Sequence, residues 1–155
     1  VSSLGRSQGG VVMPEASRLH RLEAGATDAE IETIITAVYR QVMDCTDATV
    51  PQNWRLTATE AELRQGQITL RQFIRSVVAS NAYYQRFCAP YPATKVVDIL
   101  CRQLLGRTVA SSEERQQMEG ILQNQGSVAL ADALLNHPEY QRYFGDSGVP
   151  YRRSQ

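Results

Sequence analysis

Histidine is nearly missing from this 155-residue chain, with two copies, and cysteine is sparse, with three. His20 and His137 each lack a second ligand three or four positions away, so no metal site is expected. Cys45, Cys88 and Cys101 are odd in number, widely spaced and without Cys-x-x-Cys. That fits reduced, partly buried thiols and does not resemble a disulfide or zinc framework. Net charge is absent too: sixteen basic side chains balance sixteen acidic ones, which argues against a nucleic-acid module. No apolar run approaches membrane-spanning length, and no secretory leader is visible. Neither a phosphate loop nor a dinucleotide glycine pattern occurs. Gly5-Arg6-Ser7-Gln8-Gly9 matches a nucleophile elbow, but no strand precedes it and no helix follows, so Ser7 is not aimed at an oxyanion hole. Glu60, Glu62, Glu113 and Glu114 lie in first helical turns, where the helix dipole favours them. The chain is not expected to be an enzyme.

What is present suits one globular domain with a real core: 43% of residues are hydrophobic and 21% charged. Val1 stands where Met would open a complete chain, as in a piece of something longer. Residues 1–26 are glycine-rich and aperiodic and read as an extended arm outside the core, with Val11-Val12-Met13, Leu19 and Leu22 apolar enough to dock. The helical domain spans 27–145. Thr27 and Glu30 have capping-box spacing, and Ile31, Ile34, Ile35, Val38 and Val42 follow a 3.6-residue period to about Asp44. Thr57–Glu60, Thr69–Gln72 and Ser111–Glu114 repeat the box. Each opens a further helix; Asn136, with Glu139 three places on, opens the last. No segment alternates with a two-residue period. The fold class is therefore all-α, a compact bundle of about seven to eight short helices, with an irregular tail over 146–155.

The chain repeats itself. Tyr39-Arg40-Gln41-Val42-Met43 matches Cys101-Arg102-Gln103-Leu104-Leu105, 62 positions on. The boxes at Thr57 and Ser111 lie 54 apart, and Tyr84-Gln85-Arg86-Phe87 is echoed by Tyr140-Gln141-Arg142-Tyr143 after 56. Two similar halves packed face to face would bury what neither buries alone. The first half carries about eight extra residues in the Cys45–Leu56 loop, which holds the only tryptophan, Trp54. Such a loop is a binding candidate, or else Trp54 folds inward as a lid. Aromatics and arginines supply the other interface candidates: Tyr83, Tyr84, Arg86, Tyr91, Tyr151, Arg152 and Arg153. Phe87 and Tyr143 are expected to close the core.

At this level of detail the chain resembles the phycobilisome linker domains. The resemblance is carried by Ala37-Val38-Tyr39-Arg40-Gln41-Val42, by Glu62 through Arg75, and by Leu104-Leu105-Gly106-Arg107. Tyr140, Phe144-Gly145-Asp146 and Val149-Pro150-Tyr151 complete it in order. It implies a non-enzymatic scaffold in the central cavity of phycobiliprotein trimer and hexamer rings. Such a scaffold assembles the antenna on the cytoplasmic face of the thylakoid membrane and tunes energy transfer. The implied partners are α/β rings, β-subunits mainly, and other linkers, with a homodimer possible for the isolated domain. No cofactor of its own is implied, only contact with bilins on the partner. Linkers are often basic, so in this neutral chain the complementary charge is expected to be local, at Arg64, Arg71, Arg75, Arg86, Arg152 and Arg153. The arm with Arg18, Leu19, Arg21 and Leu22 resembles the segments that precede such domains. Of the cysteines, Cys45 and Cys88 are the ones expected near the surface, and bilin attachment to either is not expected. The alternative is a helical protein–protein interaction or self-association domain unrelated to light harvesting.

Overall fold

A computed structural model describes residues 20–153. Its helices are α1 (Asp28–Val42), α2 (Thr57–Arg64), α3 (Leu70–Val78), α4 (Asn81–Tyr83), α5 (Ala93–Leu100), α6 (Ser112–Gln125), α7 (Ser127–Leu135) and α8 (Pro138–Tyr143). Two of them run on into a π-helical turn, α4 through Tyr84–Cys88 and α5 through Cys101–Leu105. The all-α expectation holds; the described residues contain no strand, only one antiparallel bridge between Arg21 and Gly148.

Helix α1 starts where the pattern places it. The Thr27 hydroxyl accepts from the Glu30 amide at 3.2 Å and the Glu30 carboxylate from the Thr27 amide at 2.8 Å, satisfying two free donors. Its apolar stripe is buried, each aliphatic side chain contributing about 1.5–3 kcal/mol. The helix stops at Asp44, which adopts φ 56°, a left-handed conformation that aspartate tolerates better than most. Thr69–Gln72 also forms a full box. Thr57–Glu60 does not. The N-cap is Leu56, whose amide donates to the Tyr39 hydroxyl at 2.8 Å, and Glu60 turns inward to accept from Tyr39 at 2.8 Å. At the last helix the cap is His137 rather than Asn136: Nδ1 accepts from the Glu139 amide, and Pro138 takes the first helical position.

The duplication has a geometric meaning. Gln41 Nε2 donates to the Gln103 carbonyl at 3.0 Å, and those two residues are the 62-apart equivalents of the repeat. On α3 and α7, Arg75 holds Asp132, and these are 57 apart, the offset between the starts of the two helices. Equivalent positions of the two halves therefore meet, as in halves related by an approximate two-fold axis, α1 against the π turn that ends α5 and α3 against α7. The echoed tetrapeptides are out of step with this axis by one residue. Tyr83 and Phe87 pack at 4.9 Å between centroids and Tyr140 and Phe144 at 5.2 Å, so the buried aromatic pairs recur after 57, while Tyr84 faces out. Phe87 is buried as expected, and Tyr143 is half-buried.

Each half also closes the end of its first helix with an arginine. Arg86 Nε donates to the Met43 carbonyl at 3.0 Å, and Arg153 Nε to the equivalent Leu105 carbonyl at 2.9 Å. A cation at a helix C-terminus completes the free carbonyls and complements the dipole. Residues 146–153, expected to be an irregular tail, are therefore held in place. Val149 is buried, Tyr151 packs edge-on against Phe144, and the Arg153 amide donates to Gly106 at 2.8 Å. The inner end of the arm is held too. The Leu22 amide donates to Ser147 and the Val149 amide to His20, each at 2.8 Å, and Leu22 packs on the core it was expected to lie outside.

Candidate interaction surface

The extra loop ends in a 3-10 turn, Gln52–Trp54. Trp54 folds partly inward: it packs against the core, and it also lines a cleft of about 570 Å³ with Asn53, Ser80, Asn81, Gln85 and Arg86. The Arg86 guanidinium lies 4.9 Å from the Trp54 ring centroid and 5.2 Å from that of Phe87, so one cation is held by two aromatic faces and the end of α1. Tyr91, in the turn before α5, is 43% exposed, and Tyr84 is 48% exposed. Of the adjacent aromatics Tyr83 and Tyr84, both read from the sequence as surface candidates, Tyr84 is the exposed one.

A second cleft, of about 550 Å³, lies between α1 and the tail, lined by His20, Thr36, Arg40, Val149, Pro150 and Tyr151. The arm–tail bridge forms one of its walls. Arg21 reaches the Phe144 carbonyl and Ser147 at 3.5 Å. Arg152 is exposed beside Tyr151. Arg18 and Leu19 lie outside the described residues.

Several expected interface residues also make contacts within the fold. Tyr83 is only 1% exposed and donates its hydroxyl to Gln103 Oε1 at 2.7 Å; the helical turn from Ser80 points it inward. Arg71 bridges Asp146, Asn136 and the Leu135 carbonyl. Arg75 is paired across the two-fold, and Arg64 is paired with Glu32 at 2.7 Å. Arg153 holds Glu139 and lies 4.0 Å from the Tyr143 ring centroid. The Cys45 and Cys88 thiols, expected near the surface, are buried like Cys101. Burial pushes Cys88 upward and Cys101 up to about 11, which keeps both as thiols and poor nucleophiles.

The carboxylates do more than balance helix dipoles. Glu60 is buried and held by Arg55 at 2.9 Å and by the Tyr39 hydroxyl. In the second half Arg107 grips Glu114 at 2.8 Å and Glu139 at 2.7 Å, with Cys101 standing where Tyr39 stands in the first. The Arg107 hydrogen bonds hold the Glu114 carboxyl down at about 2. These clusters repeat with the duplication, a signal that the spacing of Thr57 and Ser111 already carried. Among the described residues no group of three His, Cys, Asp or Glu is placed to hold a metal, and no helix is long and apolar enough to cross a membrane.

Glu60, Arg107, Glu114 and Glu139 are thus committed within the fold, and Tyr84 and Tyr91 are the large hydrophobic side chains exposed among the described residues. The family described as Phycobilisome Linker polypeptide matches residues 26–153. The chain is 41% identical over 144 residues to Phycobiliprotein ApcE of Nostoc sp., covering 93% of this chain and 13% of that protein. ApcE of Porphyra purpurea is 35% identical over 147 residues, 95% of this chain and 16% of the relative. A Phycobilisome 31.8 kDa linker polypeptide, phycoerythrin-associated, rod, from Microchaete diplosiphon is 36% identical over 129 residues, 83% of this chain and 44% of the relative. The chain belongs to the phycobilisome linker polypeptide family, and a structural linker role in phycobilisome assembly comes with that membership. It spans 13% of the length of the Nostoc ApcE.

Proposed function

We propose that this domain sits in the central cavity of phycobiliprotein rings, binds mainly their β-subunits, and orders the rings into the antenna at the cytoplasmic face of the thylakoid membrane. The observation that carries the reading is the family match over 26–153, which takes in every helix of the packed unit from the Thr27 cap to the Arg153 clasp. The domain acts without catalysis and without a bilin of its own, in keeping with three buried thiols. Tuning of energy transfer comes from side chains pressed close to bilins of the ring. Trp54 with Arg86 and the exposed Tyr84 and Tyr91 are the residues with the polarisable surface to do so.

The test mixes the purified chain with phycobiliprotein trimers and follows sedimentation and fluorescence. Co-sedimentation with a displaced emission maximum is expected. If both stay unchanged while the chain sediments as its own oligomer, the reading fails and the self-association alternative replaces it.

A further inference from the structure

The two halves close the ends of their first helices with different pieces of chain. In the second half Arg153 arrives on the helix-free segment 148–153 and reaches the Leu105 carbonyl, Glu139 and the Tyr143 ring. The corresponding positions of the first half, 62 and 57 places earlier, are Met43, Ala82 and Arg86. There the arginine comes from the helical segment itself, and the ring, Trp54, comes from the extra loop. Alanine stands where the second half has Glu139. Ala82, Arg86 and Trp54 all line the open cleft of about 570 Å³.

The same cleft gathers three carboxamides, Asn53, Asn81 and Gln85. All three are exposed, and none makes a side-chain hydrogen bond among the described residues. The Trp54 indole N–H has no partner there either. Arg86 is the one ionisable group in the lining, and it is already held by the Met43 carbonyl and two aromatic rings. The cleft beside α1, by contrast, carries His20, Glu32 and Arg40. A carboxamide offers an N–H donor and a C=O acceptor side by side, the same pair that a peptide unit offers. An anionic ligand would face three amide oxygens, and an apolar one would leave every carboxamide unpaired. An extended polypeptide segment matches on both counts, with its main chain for the carboxamides and a side chain for the Trp54 ring. Within this chain, Tyr151 of such a segment already packs on Phe144, the equivalent of Phe87.

We propose that the Trp54 cleft binds an extended, uncharged segment of a partner polypeptide. The side-chain amides of Asn53, Asn81 and Gln85 pair with its main chain, and one of its side chains lies against Trp54. The inference rests on the linker reading and assigns the segment to a loop of the phycobiliprotein ring. Recognition here is by neutral hydrogen bonds, so it does not depend on complementary charge.

The test compares wild type, the triple variant Asn53→Ala/Asn81→Ala/Gln85→Ala, and Gln116→Ala/Gln117→Ala, which removes exposed carboxamides from α6 instead. Affinity for phycobiliprotein trimers is measured by sedimentation at low and high salt. The triple variant should bind about tenfold or more weakly, as expected for several lost hydrogen bonds. The fold-loss should be equal at both salt concentrations, because no charge is removed. Its melting temperature should stay that of wild type, since the three side chains have no internal partner. The α6 variant should bind as wild type does. Asn81→Asp/Gln85→Glu keeps the shape and the acceptors but loses the donors, and should also bind more weakly. Should the triple variant fail to fold, Asn81→Ala/Gln85→Ala gives the same readout with a smaller loss. Unchanged binding by the triple variant, an equal loss in the α6 variant, a loss that shrinks with salt, or tighter binding by the acidic variant overturns this inference alone. So does a change in the sedimentation of the triple variant by itself, which would make a second copy the occupant. Absence of trimer binding by wild type overturns the linker reading with it.

Discussion

Replacing Arg107 with methionine should remove the strongest polar tie in the second half of the domain. Its guanidinium donates to Glu114 at 2.8 and 2.9 Å and to Glu139 at 2.7 and 2.8 Å. The arginine side chain is 14% exposed and its two partners 19% and 21%. Methionine keeps the apolar stem and deletes the charge, leaving Glu114 half-buried without its cation, while Glu139 retains Arg153. Breaking a fully buried pair costs about 3–5 kcal/mol, so about 2–4 kcal/mol is expected for this partly exposed one. Against a typical stability of about 5–15 kcal/mol that is a large share, equivalent to a melting temperature roughly 5–12 °C lower. The loss should depend on pH. Arg107, and secondly the Ala110 amide, hold Glu114 at about 2 against an ordinary 4.5. The stability this adds is complete above pH 4.5 and is lost as pH falls towards 2. Wild type and variant should therefore converge across that interval in urea unfolding followed by Trp54 fluorescence. A difference under about 1 kcal/mol at pH 7 would refute the reasoning, as would a difference of the same size at pH 7 and pH 2. Arg75→Met is the contrast. That pair is 48% and 41% exposed, and its loss should cost less than about 1 kcal/mol.

Two further outcomes follow from the packing. Gly106 adopts φ +75°, and a Cβ there would overlap the Tyr151 carbonyl oxygen. Gly106→Ala should cost more than about 2 kcal/mol, and it should speed hydrogen exchange at the Arg153 amide, which Gly106 holds at 2.8 Å. Tyr83→Phe removes the hydroxyl that Gln103 Oε1 accepts, and Gln103 Nε2 has no partner among the described residues. The unpaired buried amide should cost about 1–3 kcal/mol in denaturant unfolding. Trimer affinity of the folded fraction should not change.

Helix positions and the duplication were legible because they are written locally. The stripe from Ile31 to Val42 and the box at Thr69 depend only on residues within three or four places. The fate of charge was not legible. Thr57 and Glu60 have the same spacing as Thr69 and Gln72, yet Glu60 leaves its cap because Tyr39, 21 positions earlier, offers a buried hydroxyl. Arg71 and Arg75 read as free surface cations until α7 and the tail bring Asp132 and Asp146 beside them. Tyr83 and Tyr84 are adjacent aromatics, and only the helical phase set at Ser80 decides which is buried.

The bridge between Arg21 and Gly148 carries a mechanical consequence. It brings the backbone at His20 within one hydrogen bond of the backbone at Val149. A unit whose incoming and outgoing strands touch adds almost nothing to the contour length of a polypeptide that carries it. It hangs beside the path of the chain as a pendant. Tension along such a polypeptide would reach the Arg153 clasp and then peel the bridge bond by bond, as a zipper opens, and would not load the helices in shear. Stretching that separates the two segments would draw Tyr151 and Val149 off the core before it loaded the helices.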